Sequence, residues 1–174
     1  MSTYALAQRE NLPCCTFVAL ALLESTGATI NSVQDGINAG GLSWWKRANV
    51  WELDAPWSAL SAARDLLGGS SMKHVENVGP NALAPELTSG RWHVIQRWKR
   101  LDEGESAGPH DDTVTPGVST GHTYLAYCEG AVVRIVQSSV SRGYRDTQGS
   151  WEGTAGLDGY AVGVLTLPGR GSLC

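Results

Sequence analysis

Charge is scarce in this chain: 17% of its 174 residues are charged, and the formal net charge is −4. A nucleic-acid partner calls for basic residues gathered on one face, and this balance gives no reason to expect one. No apolar run reaches the roughly 18–20 residues of a membrane span. The start, Met1-Ser2-Thr3-Tyr4-Ala5, lacks the basic opening and apolar stretch of a signal peptide. The expectation is a protein made in the cytoplasm and, if it acts elsewhere, released by a leaderless route such as a secretion system or lysis. Cys-x-x-Cys and His-x-x-x-His spacings are missing, so the cysteines and histidines outline no zinc site. There is no phosphate loop and no dinucleotide fingerprint. Neither metal nor cofactor is expected. The cysteines at 14, 15, 128 and 174 do not form a disulfide-scaffold pattern; the adjacent pair cannot easily bridge to itself, and the sequence does not decide a Cys128–Cys174 bridge.

The length suits one domain spanning 1–174 with a core of its own. Twenty-one glycines point to many turns and long loops. Seven tryptophans are a large share, and Trp44, Trp45, Trp51 and Trp57 lie close together, as core or as the wall of a substrate groove. Residues 1–12 read as a lead-in and 14–26 as a helix. A short helix follows within 31–41, an ambiguous aromatic segment covers 43–50, and a helix runs from Asp54 to about Leu67. Period-2 patterning then takes over. Strands are expected at 72–78, 91–98, 122–127, 132–138 and 160–167, with long loops at 102–120 and 141–159. Helices first and antiparallel strands after is an α+β pattern.

The stretch Pro13-Cys14-Cys15-Thr16-Phe17-Val18 places thiols at the start of an apolar helix. Pro13 suits the first helical position, and Gly27 closes the segment. Phe17, Leu20 and Ala21 are spaced to share a buried stripe. Backbone N–H groups and the positive helix end favour thiolate there, so Cys14 is the candidate nucleophile and Cys15 its competitor. A thiol nucleophile needs a base, and the base an orienting group. His122 heads a strand in Gly121-His122-Thr123-Tyr124-Leu125, and Gln137 is a polar residue in the apolar run Val133–Ser138. A tight turn between the two strands would set Gln137 across from His122 and fix the imidazole tautomer. A one-residue slip of register would offer Ser138 or Ser139 instead.

This order of Cys on a helix, then His and a polar residue on successive strands, resembles the papain-like NlpC-type and CHAP-type peptidoglycan hydrolases. Cys14-Cys15-Thr16-Phe17-Val18 is similar to their helix start, with Cys15 at a position that is usually small. Gly121-His122-Thr123-Tyr124-Leu125 and Ile135-Val136-Gln137-Ser138-Ser139 resemble their two strands. Gly90-Arg91 stands where that family has Gly-Asp, and the Asp-Cys-Ser start is absent. The long separation between Cys14 and His122 would make residues 31–85 or 102–120 insertions. The resemblance implies a papain-like fold and a cysteine peptidase or amidase with Cys14, His122 and Gln137 catalytic. Gln8 stands upstream of Cys14 at the separation papain-like proteases use for an oxyanion glutamine, and Tyr4 is a second candidate for that role. The implied partner is peptidoglycan or a peptide substrate, with an immunity or inhibitor protein if the chain is an antibacterial effector. Rival expectations are a protease, deamidase or acyltransferase with a protein substrate, and a noncatalytic module that keeps the core.

Overall fold

The computed structural model describes residues 2–49, 57–69, 72–75, 87–106, 112–115, 119–149, 160–169 and 173. Trp51, His110 and Cys174 lie outside them. The lead-in turns out to be helix α1 (Thr3–Arg9). The Ser2 hydroxyl caps it by accepting from the Ala5 N–H at 3.3 Å, and the Glu24 carboxylate accepts from the Thr3 N–H at 2.8 Å. Both serve the orphan donors of a helix start.

Helix α2 (Cys14–Ser25) begins one residue later than Pro13, which sits in the cap position with extended ψ. Cys14 is therefore the first helical residue. At the far end Gly27 takes φ +96°, and the N–H groups of Gly27 and Ala28 return to the carbonyls of Glu24 and Leu23, the turn that glycine makes cheaply. The expected one-sided stripe is not what this helix shows. Phe17 through Leu23 are all buried, so the helix is apolar all round and runs through the core. Each fully buried Phe or Leu contributes roughly 1.5–3 kcal/mol of transfer free energy.

Helices α3 (Val33–Gly40), α4 (Leu42–Asn49) and α5 (Ser58–Leu67) pack around α2. The ambiguous aromatic segment is thus helical. Its Trp44 and Trp45 are buried core residues, and the Trp44 indole donates to the Ala62 carbonyl at 2.9 Å. Trp57 is half-buried at the start of α5.

Among the described residues seven strands follow: β1 (Met72–Val75), β2 (Arg91–Arg100), β3 (Asp112–Thr115), β4 (Ser119–Glu129), β5 (Val132–Ser139), β6 (Gly143–Gly149) and β7 (Ala161–Thr166). They form one antiparallel sheet in the order β1-β7-β2-β4-β5-β6, with β3 paired to the start of β4. The α+β arrangement is as expected, with the Cys-bearing helix packed on the antiparallel sheet that carries His122. Strands β3 and β6 lie in stretches read as loop. In β6, Gly-Tyr-Arg-Asp-Thr-Gln-Gly, the last five residues are exposed. An edge strand like this has no apolar alternation to betray it, and it is held by its ladder to β5 and a two-pronged ion pair from Arg134 to Asp146 (3.0 and 2.7 Å).

Side chains alternate between the two faces of the sheet. Val94, Leu125, Val136 and Leu165 join the core that contains α2. Their neighbours Ile95, Tyr124, Ala126, Ile135 and Val164 form a second buried cluster on the opposite face. Helix α5 approaches the sheet closely at Gly163, where a Cβ would meet the Trp57 ring at 2.7 Å. Strand β4 pairs with β2 from Ser119 to Cys128. On its other edge the ladder with β3 ends at Gly121 and the ladder with β5 begins at Leu125. His122 and Thr123 lie in the interval between those ladders, where the first turn of α2 meets the sheet.

Candidate active site

As the first residue of α2, Cys14 has a backbone N–H with no acceptor inside the helix. It is 1% exposed, and with Cys15 and Ala59 of α5 it forms a small cluster of its own. The Cys14 thiol donates toward the Cys15 sulfur at 3.9 Å, and Cys15 Sγ lies 3.3 Å from Thr123 Oγ1, with either atom able to donate. The next residue, Thr16, donates from its hydroxyl to Asn49 Oδ1 at 2.7 Å, and Asn49 donates to the Trp45 carbonyl at 3.0 Å. That chain fixes the first turn of α2 to the last turn of α4.

His122 is 1% exposed. Its Nε2 lies 2.7 Å from Gln137 Oε1, so Nε2–H donates to the amide oxygen and Nδ1 carries the lone pair. The ring stacks on Tyr124, two residues along the same face, with centroids 5.5 Å apart. Register explains the partnership. Because Leu125 stands opposite Val136, Gln137 is on the same face as His122 and diagonal to it, within reach of a long side chain. Ser138 faces the other way and donates to the Leu12 carbonyl at 2.8 Å. Ser139 accepts from the Arg142 N–H at 3.2 Å in the β5–β6 turn. His122 is therefore bonded by Gln137, while both serines bond main-chain groups.

Burial pushes the Cys14 thiol well above its ordinary pKa, and the hydrogen bond and charge of Cys15 push it in the same direction; the hydrogen bonding and charge of His122 pull it back. The imidazole and the thiol thus interact, with Nδ1 the ring nitrogen left for the sulfur. Nδ1 itself is buried.

Of the residues considered for an oxyanion hole, Gln8 is exposed on α1. Tyr4 donates its hydroxyl to the Leu173 carbonyl and packs edge-on against Phe17 and Tyr144. It braces α1 against α2 and β6. Thr123, Ala59 and Asn49 escaped the sequence reading. Thr123 had a signal, since its neighbour His122 was already singled out; Ala59 and Asn49 had none, being brought in by helix packing. Arg97 stands directly across from His122 on β2, with its guanidinium 5.0 Å over the Tyr160 ring.

Two further residues of these types are described with their side chains, Cys128 and His93, and His74 is described by its backbone alone. Cys128 is a free thiol near the Gly130 carbonyl (3.5 Å). His93 is buried on β2, and His74 is in β1. Among the described residues no group of three or more His, Cys, Asp or Glu is placed to hold a metal ion, and no helix is long and apolar enough to cross a membrane.

No family model matches the chain, and no curated protein matches it. Among solved structures the chain is similar to the Pseudomonas avirulence protein AvrPphB. The two share 16% identity over 90% of this chain and 91% of that one, with a TM-score of 0.43.

Proposed function

We propose that this chain is a cysteine hydrolase that cleaves amide bonds, with Cys14 as nucleophile, His122 as general base and acid, and Gln137 as the group that orients His122. The observation that carries the reading is the 2.7 Å bond from His122 Nε2 to Gln137. It fixes the tautomer whose lone pair is on Nδ1, while the same imidazole acts on the Cys14 thiol. Because burial holds Cys14 as a neutral thiol, proton transfer to Nδ1 accompanies attack on the carbonyl rather than preceding it. The oxyanion then meets the N–H of Cys14 at the helix start. His122 returns the proton to the leaving amine, and water hydrolyses the acyl-enzyme.

The substrate class we propose is the stem peptide of peptidoglycan, with an immunity protein opposing the chain if it is an effector. The motifs at 14–18, 121–125 and 135–139 support it. Purified sacculi incubated with the chain, followed by mass spectrometry of the released fragments, test it. Cleavage that disappears in Cys14→Ala, with the variant still folded, is the expected result. Full cleavage by that variant sinks the mechanism, and intact sacculi from the wild type move the substrate to a protein. One observation favours the noncatalytic alternative: Cys14 and His122 are each 1% exposed, so a substrate must part the elements around the thiol. Inactivity of the wild type toward both sacculi and protein substrates would select that alternative.

A further inference from the structure

Strand β2 carries a buried polar side chain that the mechanism above does not use. Gln96 is 0% exposed, and neither its amide nitrogen nor its amide oxygen meets a hydrogen-bond partner among the described residues. Two residues on, the half-buried Trp98 keeps its indole N–H buried in the same condition. Buried polar groups in folded proteins are nearly always bonded, so an amide left open at both ends calls for a reason. The pairing of the strands places it beside the thiols. Alternation along β2 turns Gln96 and Trp98 to the face of Val94, which α2 and α5 cover. Gln96 stands between Thr123 on β4 and Gly163 on β7. Thr123 Oγ1 is 3.3 Å from Cys15 Sγ, and the space over Gly163 is closed by Trp57 and Leu60 at the start of α5. Ala59, next to Leu60, clusters with Cys14 and Cys15. Gln96 thus lies in the row spanned by the two helix starts, and Trp98 lies across from Gly121, the residue before His122.

We propose that Gln96 and Trp98 form a binding site for an extended peptide segment, the part of the substrate adjoining the amide bond that Cys14 attacks. That use of the site rests on the reading of Cys14 as nucleophile; the binding itself does not. In an extended chain the N–H and C=O of one residue point to the same side. A carboxamide offers a donor and an acceptor on one planar group, so Gln96 accepts from that N–H and donates to that C=O. The Trp98 indole N–H, two residues along the strand, donates to a further carbonyl. The substrate's own main chain then supplies the partners that the fold withholds. Binding recovers what the bare amide costs in the empty protein, where a donor and an acceptor are desolvated with nothing in return.

The test is a titration of 15N-labelled full-length protein with N-acetylglycine N-methylamide, a single residue flanked by two peptide groups. The Gln96 side-chain NH2 and the Trp98 indole N–H are followed, each assigned by through-bond correlation to its own residue. Both signals should shift saturably with the probe in the wild type; no saturable shift overturns the proposal. Gln96→Met keeps the side-chain length and removes both polar ends. In that variant the Trp98 signal should need about tenfold more probe, the worth of one lost bond. The thermal midpoint of the ligand-free variant should meanwhile rise by about 2–4 °C. An unchanged or lowered midpoint overturns the proposal, because the amide then serves the fold. Should Gln96→Met fail to fold, the wild-type titration decides alone. Muropeptides and a casein digest, titrated in the same way, separate stem peptide from protein as the source of the bound segment, and a chain that answers to neither overturns the peptide assignment. Cys14→Ala should bind the probe as the wild type does. Binding without cleavage of sacculi or protein therefore keeps this site and removes the hydrolase reading, whereas cleavage without binding does the reverse.

Discussion

Two histidines, His93 on β2 and His122 on β4, are buried on the same face of adjacent strands, at 0% and 1% exposure. Their difference is in what meets the ring nitrogens. His93 Nε2 accepts the Thr88 N–H at 3.0 Å, so Nδ1–H donates to the Ala126 carbonyl at 3.3 Å; both nitrogens are used by main chain. His122 has one nitrogen bonded by Gln137 and the other left toward a thiol. Burial alone therefore does not mark a chemical histidine. On the proposed mechanism, what sets His122 apart is a bond that fixes the tautomer on one side and a ring nitrogen toward the thiol on the other.

The sharpest way to break this comparison is to delete each ring in turn. His122→Ala should lower turnover on a cleaved substrate by about 10²–10⁴-fold, the usual worth of a general acid–base group, with the fold retained. His93→Ala should act on stability instead. It strands the buried Ala126 carbonyl, at about 1–3 kcal/mol, and takes the acceptor from the Thr88 N–H, which water can replace at this exposed residue; the folded fraction should keep its turnover. Thermal melts beside steady-state rates separate the two. Equal loss of turnover per folded molecule in both variants would erase the distinction.

A smaller effect is expected from the orienting group. Gln137→Ala leaves His122 in place but frees its rotation and tautomer, and a loss of about 10²-fold in kcat follows from misplacing a reacting group by an ångström or so. Ser138→Ala, on the other face, should leave kcat unchanged, because that hydroxyl serves the Leu12 carbonyl. If Ser138→Ala costs as much as Gln137→Ala, the facing inferred from the β4–β5 register is wrong for this pair.

The parts legible in the sequence are those with local punctuation. Helix α2 was bracketed by Pro13 and Gly27, and the β4–β5 hairpin by apolar runs around Glu129-Gly130. Once that turn was placed, the pairing of Gln137 with His122 was a matter of strand geometry. The parts that were not legible depend on tertiary context. Helix α1 is a short polar-looking segment fixed by Ser2 and by Glu24, and β6 is a strand because β5 offers it a ladder. Sequence distance placed Gln8 as papain-like proteases place their oxyanion glutamine, but distance does not say which side of α1 the residue faces, and it faces solvent. Likewise the contact of Cys15 with Thr123 beside Cys14 is set by where β3 gives way to β5 along β4, a break in the ladders that no local pattern announces.

The weakest and slowest-varying consequence of the comparison is a pH slope. Burial holds the pKa of His93 below its ordinary value, with the bonds to the Ala126 and Arg91 backbone opposing only in part. The unfolded chain then binds the proton more readily than the folded one just below pH 6.5, the ordinary imidazole value. Stability from this residue is accordingly complete above that value and declines as pH falls from it toward the depressed folded-state pKa. The thermal midpoint should drop between pH 7 and pH 5 in the wild type. In His93→Gln, whose amide does not titrate, the midpoint should start lower at pH 7 and depend less steeply on pH over the same range. An identical slope in the two proteins would mean that the acid sensitivity comes from another group and that the main-chain bonds to His93 hold its ring in either charge state.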